Sequence, residues 1–446
     1  MMSQSSLTVS PEDYSLLTDL YELTMGACYV GEGIAGKPAS FELFARRLPH
    51  SYGYLIAMGL TQALEYLEQL HFSPEQIAQL QQTGLFDHAP AEFWSLLEGK
   101  VFTGDIWAVP EGTALFAYEP FLRVEAPLWQ AQLAETYLLN TINYQTLVAT
   151  KTARMRDVAG ETVKLLEFGT RRAFSPQASL WAARAALAAG FNATSNVAAA
   201  LKLGEKPSGT MAHSLVMAIA ALKGGEDEAF TAFSRYFPQA PLLIDTYDTL
   251  AAAECLAQAV QAGERQVTGV RIDSGDVAEL SQKVRALLPE AAIFASGDLD
   301  EWEIERLLAE GAVIDGYGIG TKLVTGTPVN GVYKLVDIDG KATRKHSTSK
   351  ETYPGRKQVF RRWQQGKVEA DRLGLMTDSP LPEETPLLEW VMKQGETVKP
   401  EESLDTLRDR ARQSIIALPD AVRQLHNPET ITIQLSSQLQ QLLEND

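Results

Sequence analysis

Arg271 and Asp273 stand two residues apart where an apolar run breaks off, V-R-I-D-S-G-D over residues 270–276. Residues two apart on a strand share a face, so a guanidinium and a carboxylate point the same way at the strand's end. That pair suits a hydroxyl-rich phosphorylated ligand, with the carboxylate on hydroxyls or Mg2+ and the guanidinium on anionic groups. A plain ion pair is the simpler alternative. Two further runs end in the same manner, I-F-A-S-G-D at 293–298 and V-I-D-G-Y-G-I-G-T at 313–321. The glycines of 316–322 bring backbone amides close together at a strand end, the form of a phosphate cradle, although the run is neither a Walker A loop nor a dinucleotide fingerprint. His213, one of six histidines, sits where an apolar helix over 215–222 takes off. An imidazole there can act as base, metal ligand or phosphoryl acceptor, or be a hydrogen-bonded structural group. Asp245 in L-L-I-D-T-Y-D is a carboxylate able to fix its tautomer and leave the other nitrogen nucleophilic.

The elements that must position these groups repeat along the chain. Runs with the same ending occur at 165–172 (L-L-E-F-G-T-R-R), 207–214 (P-S-G-T-M-A-H-S) and 242–248. Six such breaks, mostly about 20–35 residues apart, fit the length of a β/α unit. Short apolar runs suit strands buried on both faces, and parallel α/β folds bind ligands at the strands' carboxyl ends. Helical segments follow at 179–189, 249–262 and 301–310, each closed by a glycine, Gly190, Gly263 and Gly311, the usual C-terminal stop. The fold class expected is α/β, with an irregular β/α barrel over 129–335 that holds the active site. An N-terminal mixed α/β domain over 1–128 precedes it, with an amphipathic helix over 56–70 and a hairpin over 101–124. The remaining segment, 336–446, is expected to pack back on the N-terminal domain and to end in a docking helix or strand over 431–443.

With 446 residues, 45% of them hydrophobic, the chain can bury a large core. Its net charge of −18, from 57 acidic and 39 basic residues, excludes a generic nucleic-acid binder, which needs a basic face. An anionic ligand must then find a local basic pocket. Residues 341–362 reverse the sign, with eight Lys or Arg and one Glu; such a stretch focuses anions, or is a solvated loop. Cys28 and Cys255 have no metal-binding or disulfide spacing. The first residues lack signal-peptide character and no run approaches a membrane span, so a cytoplasmic location is expected.

In series, these motifs resemble the nicotinate phosphoribosyltransferase family. The likeness runs from L-L-T-D-L-Y-E-L-T-M at 16–25 and F-E-L-F-A-R-R-L-P at 41–49, through E-F-G-T-R-R, G-F-N-A-T-S-N, G-T-M-A-H-S, I-D-T-Y-D, R-I-D-S-G-D, F-A-S-G-D-L-D and Y-G-I-G-T, to P-G-R-K-Q-V-F-R. The resemblance implies a type II phosphoribosyltransferase-like barrel that joins nicotinic acid to phosphoribosyl pyrophosphate, giving nicotinate mononucleotide and pyrophosphate. It further implies an ATP-dependent, ligase-type enzyme in which ATP phosphorylates His213, with Asp245 and Asp273 as the other catalytic groups. Arg271, Asp273, Gly297, Gly318 and Gly320 would hold the ribose phosphate, within a substrate-binding set that adds Asn196, Ser214, Ser274, Gly275, Ser296, Asp298 and Thr321. Mg2+ would bridge pyrophosphate oxygens and carboxylates, with Asp273 and Asp298 as its ligands. The nicotinate ring would stack between Phe168 and a Tyr21 from the partner subunit, with Arg171 alongside and Arg46 or Arg47 also crossing over, so the active unit is expected to be a homodimer with shared sites. Ser195 is neutral where the related nicotinamide enzyme carries an aspartate, which favours an anionic ring substrate. A nicotinamide phosphoribosyltransferase, a non-catalytic nucleotide-binding relative and a lyase using Lys322 as a Schiff base are the competing readings.

Overall fold

The computed structural model describes residues 7–347 and 350–444. The chain forms two compact units, one of residues Val148–Thr327 and one of Met1–Leu147 with Pro328–Asp446.

The middle unit is built on six parallel strands, Lys164–Glu167, Ala193–Thr194, Leu242–Leu243, Gly269–Ile272, Ala292–Ser296 and Gly316–Ile319. Across the sheet their order is second, first, sixth, fifth, fourth, third. Taken as a ring this is simply chain order: the sixth strand returns to pair with the first, Gly316 beside Lys164 and Ile319 beside Glu167. The ring has one seam, between the second and third strands, where no strand ladder forms among the described residues. Residues 208–210 span it instead: the Ser208 N–H donates to the Thr194 carbonyl at 2.9 Å and the Thr210 hydroxyl to the Pro241 carbonyl at 2.6 Å. The irregularity expected of the barrel is therefore local. Of the six breaks, the one at 207–214 follows no strand, because Pro207 and Gly209 disfavour a ladder.

Side-chain alternation divides the two faces of this sheet. Val270, Ile272, Ile293, Ala295, Tyr317 and Ile319 form the buried apolar set, while Phe168, Arg271, Phe294 and Gly318 line a cavity. Several of the acidic residues at the breaks are helix caps. Asp248 accepts from Leu250 and Ala251, Asp276 from Glu279 and Asp300 from Glu303, so these carboxylates satisfy free N–H groups at the first turns of Thr249–Gln261, Val277–Leu287 and Glu301–Ala309. Asp245, Asp273 and Asp298 are left for other work. A fully buried Arg154–Glu301 pair at 3.0 Å joins the helix Glu135–Ala159 to Glu301–Ala309 inside the unit.

In the other unit the two parts of the chain share one seven-stranded sheet. Strand Pro38–Ala45 lies antiparallel between Gly331–Ile338 and Pro120–Pro127, with Phe41 opposite Leu335 and Val124. The expected hairpin is present as Asp105–Ala108 against Pro120–Pro127. The helix expected from Ile56 begins at Leu60, because Leu55–Ile56 pair with Ala114–Leu115 and Gly59 turns the chain at φ 102°. The last segment is strand and then helix, Thr432–Leu435 and Ser437–Glu444. Residues 348 and 349 of the basic stretch lie outside the described residues. Carboxylates of this unit hold four of its cations: Arg356 by Glu125 at 3.3 Å, Lys357 by Glu42 at 2.8 Å, Arg361 by Asp371 at 2.6 Å and Arg362 by Glu369 at 2.7 Å. For those four the charge reversal serves packing. Among the described residues no helix is long and apolar enough to cross a membrane.

Candidate active site

His213 is the first residue of the helix His213–Lys223, directly after the segment that spans the seam. Its Nδ1 lies 3.2 Å from the Thr246 hydroxyl oxygen, and its Nε2 lies 3.9 Å from both Asp245 Oδ1 and Asp273 Oδ2. Two carboxylates face Nε2, an arrangement that favours a proton on that nitrogen and a lone pair on Nδ1, beside the Thr246 hydroxyl. The imidazole is 39% exposed while the Asp245 side chain is 1% exposed, so the ring is open to solvent and the carboxylate beside it is enclosed.

The carboxylates are themselves fixed across neighbouring strand ends. Asp245 Oδ2 accepts the Asp273 N–H at 2.9 Å and the Ser274 hydroxyl at 2.7 Å, while its Oδ1 is buried without a hydrogen-bond partner. Asp273 Oδ1 accepts the Ser296 hydroxyl from the next strand. Gly297 makes this interlock possible: its φ is 93°, and a Cβ there would sit 2.5 Å from the Asp273 carbonyl oxygen. Only glycine tolerates both conditions. Asp298 follows, exposed and in the left-handed region at φ 40°.

Beneath these groups a cavity of about 340 Å³ is lined by Phe168, Arg271, Phe294 and Gly318, with Ser208, Gly209 and Thr210 at the seam. The glycines of the sixth strand serve its aromatic walls. A Cβ on Gly318 would lie 2.4 Å from the Phe168 ring, and one on Gly316 2.6 Å from the Phe294 ring. The rings therefore press against bare backbone. Arg271 Nε is buried without a partner, and burial presses the guanidinium pKa down against the pull of Asp273 and Asp245. A buried, under-bonded guanidinium favours an anion.

The remaining expected residues fall at the same ends of the strands or outside this unit. Ser214, Ser274, Gly275 and Arg171 are exposed, and Ser195 is half-buried. Gly320 and Thr321 open the short turn Thr321–Val324. Asn196 is buried as a helix cap: its Oδ1 accepts the Ala199 N–H at 3.0 Å and its Nδ2 donates to Ser179 Oγ at 3.2 Å. Lys322 is exposed and 3.5 Å from Asp300, the opposite of the desolvated amine that Schiff-base chemistry uses. Tyr21, Arg46 and Arg47 belong to the other unit. There Tyr21 is 44% exposed, and Arg46 Nε and Nη2 are buried without partners. Thr246, Phe294 and Glu167 were not anticipated from the sequence, although Thr246 adjoins Asp245 and Glu167 lies inside E-F-G-T-R-R.

Models of the nicotinate phosphoribosyltransferase family match three stretches: its N-terminal domain residues 16–143, the family model residues 163–353, and its C-terminal domain residues 381–443. A nicotinate phosphoribosyltransferase of Mycobacterium tuberculosis is 42% identical over 424 residues, 93% of this chain and 89% of that protein. One of Bacillus subtilis is 46% identical over 371 residues, 78% of this chain and 73% of that protein. The crystal structure of human nicotinic acid phosphoribosyltransferase superposes with a TM-score of 0.83 at 29% identity, covering 96% of this chain and 99% of the human one.

Proposed function

The chain belongs to the nicotinate phosphoribosyltransferase family, and from that premise we propose how its residues carry out the family's reaction. It is a nicotinate phosphoribosyltransferase: the phosphoribosyl group of phosphoribosyl pyrophosphate passes to nicotinic acid, giving nicotinate mononucleotide and pyrophosphate for NAD salvage. The observation that carries the mechanism is the imidazole of His213 set 3.9 Å from two carboxylates at the carboxyl ends of the strands.

In the proposed course the nicotinate ring lies against Phe168, with Arg171 and the neutral Ser195 on its carboxylate. A planar anion is well matched by an aromatic face and a guanidinium. Arg271 and the amides at Gly297 and Gly320 hold the ribose phosphate, with Ser296 steadying Asp273 beside the sugar; Gly318, paired inside the sheet with Leu166 and Ser296, serves the Phe168 wall instead. As pyrophosphate leaves, the anomeric carbon gains positive character and the carboxylates near the ribose stabilise it. Among the described residues no three His, Cys, Asp or Glu groups gather to hold a metal. Asp273, 37% exposed, and the exposed Asp298 offer two carboxylates at neighbouring strand ends, and Mg2+ typically uses one or two carboxylates together with phosphate oxygens and water. Asp273 and Asp298 would hold it, and when bound it neutralises charge on the leaving pyrophosphate.

ATP enters at His213. Asp245 and Asp273 face the Nε2 side of the ring, and Nδ1 attacks the γ-phosphorus of ATP: the N–P bond forms as the bond from that phosphorus to the bridging oxygen breaks and ADP leaves, which makes the enzyme of the ATP-dependent ligase type. Completion of each site by Tyr21 and Arg46 or Arg47 from a second copy makes the active unit a homodimer, and a cytoplasmic setting supplies both phosphorylated substrates. The test is an assay with phosphoribosyl pyrophosphate and Mg2+, with and without ATP, offering nicotinic acid and nicotinamide in parallel. Nicotinic acid should be preferred by roughly one to two decades, the worth of one charge-assisted contact. Equal use of both would overturn the ring-pocket assignment, and indifference to ATP would overturn the role of His213.

A further inference from the structure

Glu167 ends the first strand of the middle unit, and alternation turns its side chain away from the cavity that Leu166 and Phe168 line. It is fully buried. One carboxylate oxygen accepts the Gly169 N–H and the other accepts the Thr194 hydroxyl. Thr194 Oγ1 in turn accepts the Asn196 N–H at 2.9 Å, and the Glu167 carbonyl accepts the Ser195 N–H at 2.9 Å. The turn is tight: a Cβ on Gly169 would lie 2.9 Å from Glu167 Oε1 and 2.3 Å from Val324. Burial raises the pKa of this carboxyl and the two donors lower it. A desolvated carboxylate is costly, and here it touches neither solvent nor cavity.

Each arm of that carboxylate holds one turn. The Gly169 arm fixes the bend that leads to Arg171, and the Thr194 arm fixes the bend that presents Ser195. We propose that Glu167 is a positioning residue for substrate selection, a clamp behind the sheet that sets the spacing between Arg171 and Ser195 and so the grip on a ring-borne carboxylate. The inference rests on the reading in which those two residues recognise nicotinate. Small errors of placement are expensive in such a site, since pre-organised donors lose their advantage when they must move to meet the ligand.

The test uses the full-length enzyme with Glu167→Gln, Thr194→Val, Thr194→Ser and Arg171→Ala. Each variant is assayed for KM and kcat with nicotinic acid, nicotinamide and phosphoribosyl pyrophosphate, and for thermal unfolding. Glutamine keeps the shape but can serve only one arm as acceptor, and valine removes the Thr194 arm with little change of volume. Glu167→Gln and Thr194→Val should each raise KM for nicotinic acid about tenfold, erode the preference over nicotinamide, and leave KM for phosphoribosyl pyrophosphate within about twofold. Thr194→Ser, which retains the hydroxyl, should restore the preference. The clamp is overturned if Thr194→Val or Glu167→Gln leaves the KM for nicotinic acid unchanged, or raises both substrates' KM values together in step with lost thermal stability. If instead Arg171→Ala keeps the full preference for nicotinic acid, the ring-pocket reading itself fails and the clamp with it.

Discussion

Asp245 uses its two oxygens differently, one to tie Asp273 and Ser274 in place and one to face His213. In the proposed mechanism that division couples the orientation of the His213 ring to the strand end that holds the ribose. With His213→Ala, stimulation by ATP and any acid-labile phosphate on the protein should vanish while slow ATP-independent transfer remains; a variant still stimulated by ATP would remove His213 from that role. Gly318 is a second single-residue case. Its missing side chain leaves room for the Phe168 ring, which a Cβ would meet at 2.4 Å. Gly318→Ala should therefore displace the ring, costing about 1–3 kcal/mol of overpacking, and should raise KM for nicotinic acid more than KM for phosphoribosyl pyrophosphate. Equal effects on both, or none, would mean that Phe168 does not wall the ring pocket.

Among the elements, the helix Leu20–Gly31 carries a pH response. Glu22 on it is buried, accepting from Gln132 Nε2 at 2.7 Å. Desolvation, reinforced by Glu135 and Asp19 and opposed by Gln132 and Tyr21, pushes its pKa up from 4.5 to about 8. The folded state thus keeps a proton that the unfolded chain releases, so stability falls as pH rises from about 4.5 and is fully reduced above about 8. Glu22→Gln should leave stability near pH 4.5 almost unchanged and raise it by a few kcal/mol at most at pH 9. Urea unfolding at the two pH values checks this, and an equal effect at both would show that Glu22 is ionised throughout. Elements were also where the sequence was most readable. Glycine stops at Gly190, Gly263 and Gly311, and the breaks at 245, 273 and 298, depend on local backbone chemistry, and each lies where it was expected. The seam was not readable, because a Gly-Ser-Thr cluster marks a turn without saying whether a strand precedes it, and the bonds that span it reach Thr194 and Pro241. The clamp at Glu167 was hidden for the same reason, since its partner Thr194 is brought near by the sheet. The basic stretch showed its sign but not its counter-ions: Glu42, which holds Lys357, lies 315 positions away.

For the molecule as a whole, the proposed sharing of sites between two copies gives a prediction that no single-chain mechanism makes. Tyr21→Ala and Asp273→Ala should each be nearly inactive alone. Mixed under conditions that exchange subunits, they should regain part of the activity, because a heterodimer holds one site with both residues intact. If heterodimers form, as judged by mass, and no activity returns, Tyr21 serves its own chain. The shared seven-stranded sheet has a different consequence, for synthesis. When the ribosome has made the first 147 residues, only one of the two sheet neighbours of Pro38–Ala45, Pro120–Pro127, has been synthesised, and the other, Gly331–Ile338, does not yet exist. The roughly 180 residues of the middle unit must emerge first, about 10–40 s at ordinary elongation rates. For that interval the nascent chain displays an apolar strand with an open edge, a template for pairing with other chains. All of the middle unit is made before that neighbour arrives, so the edge needs guarding until the last quarter of the chain is synthesised.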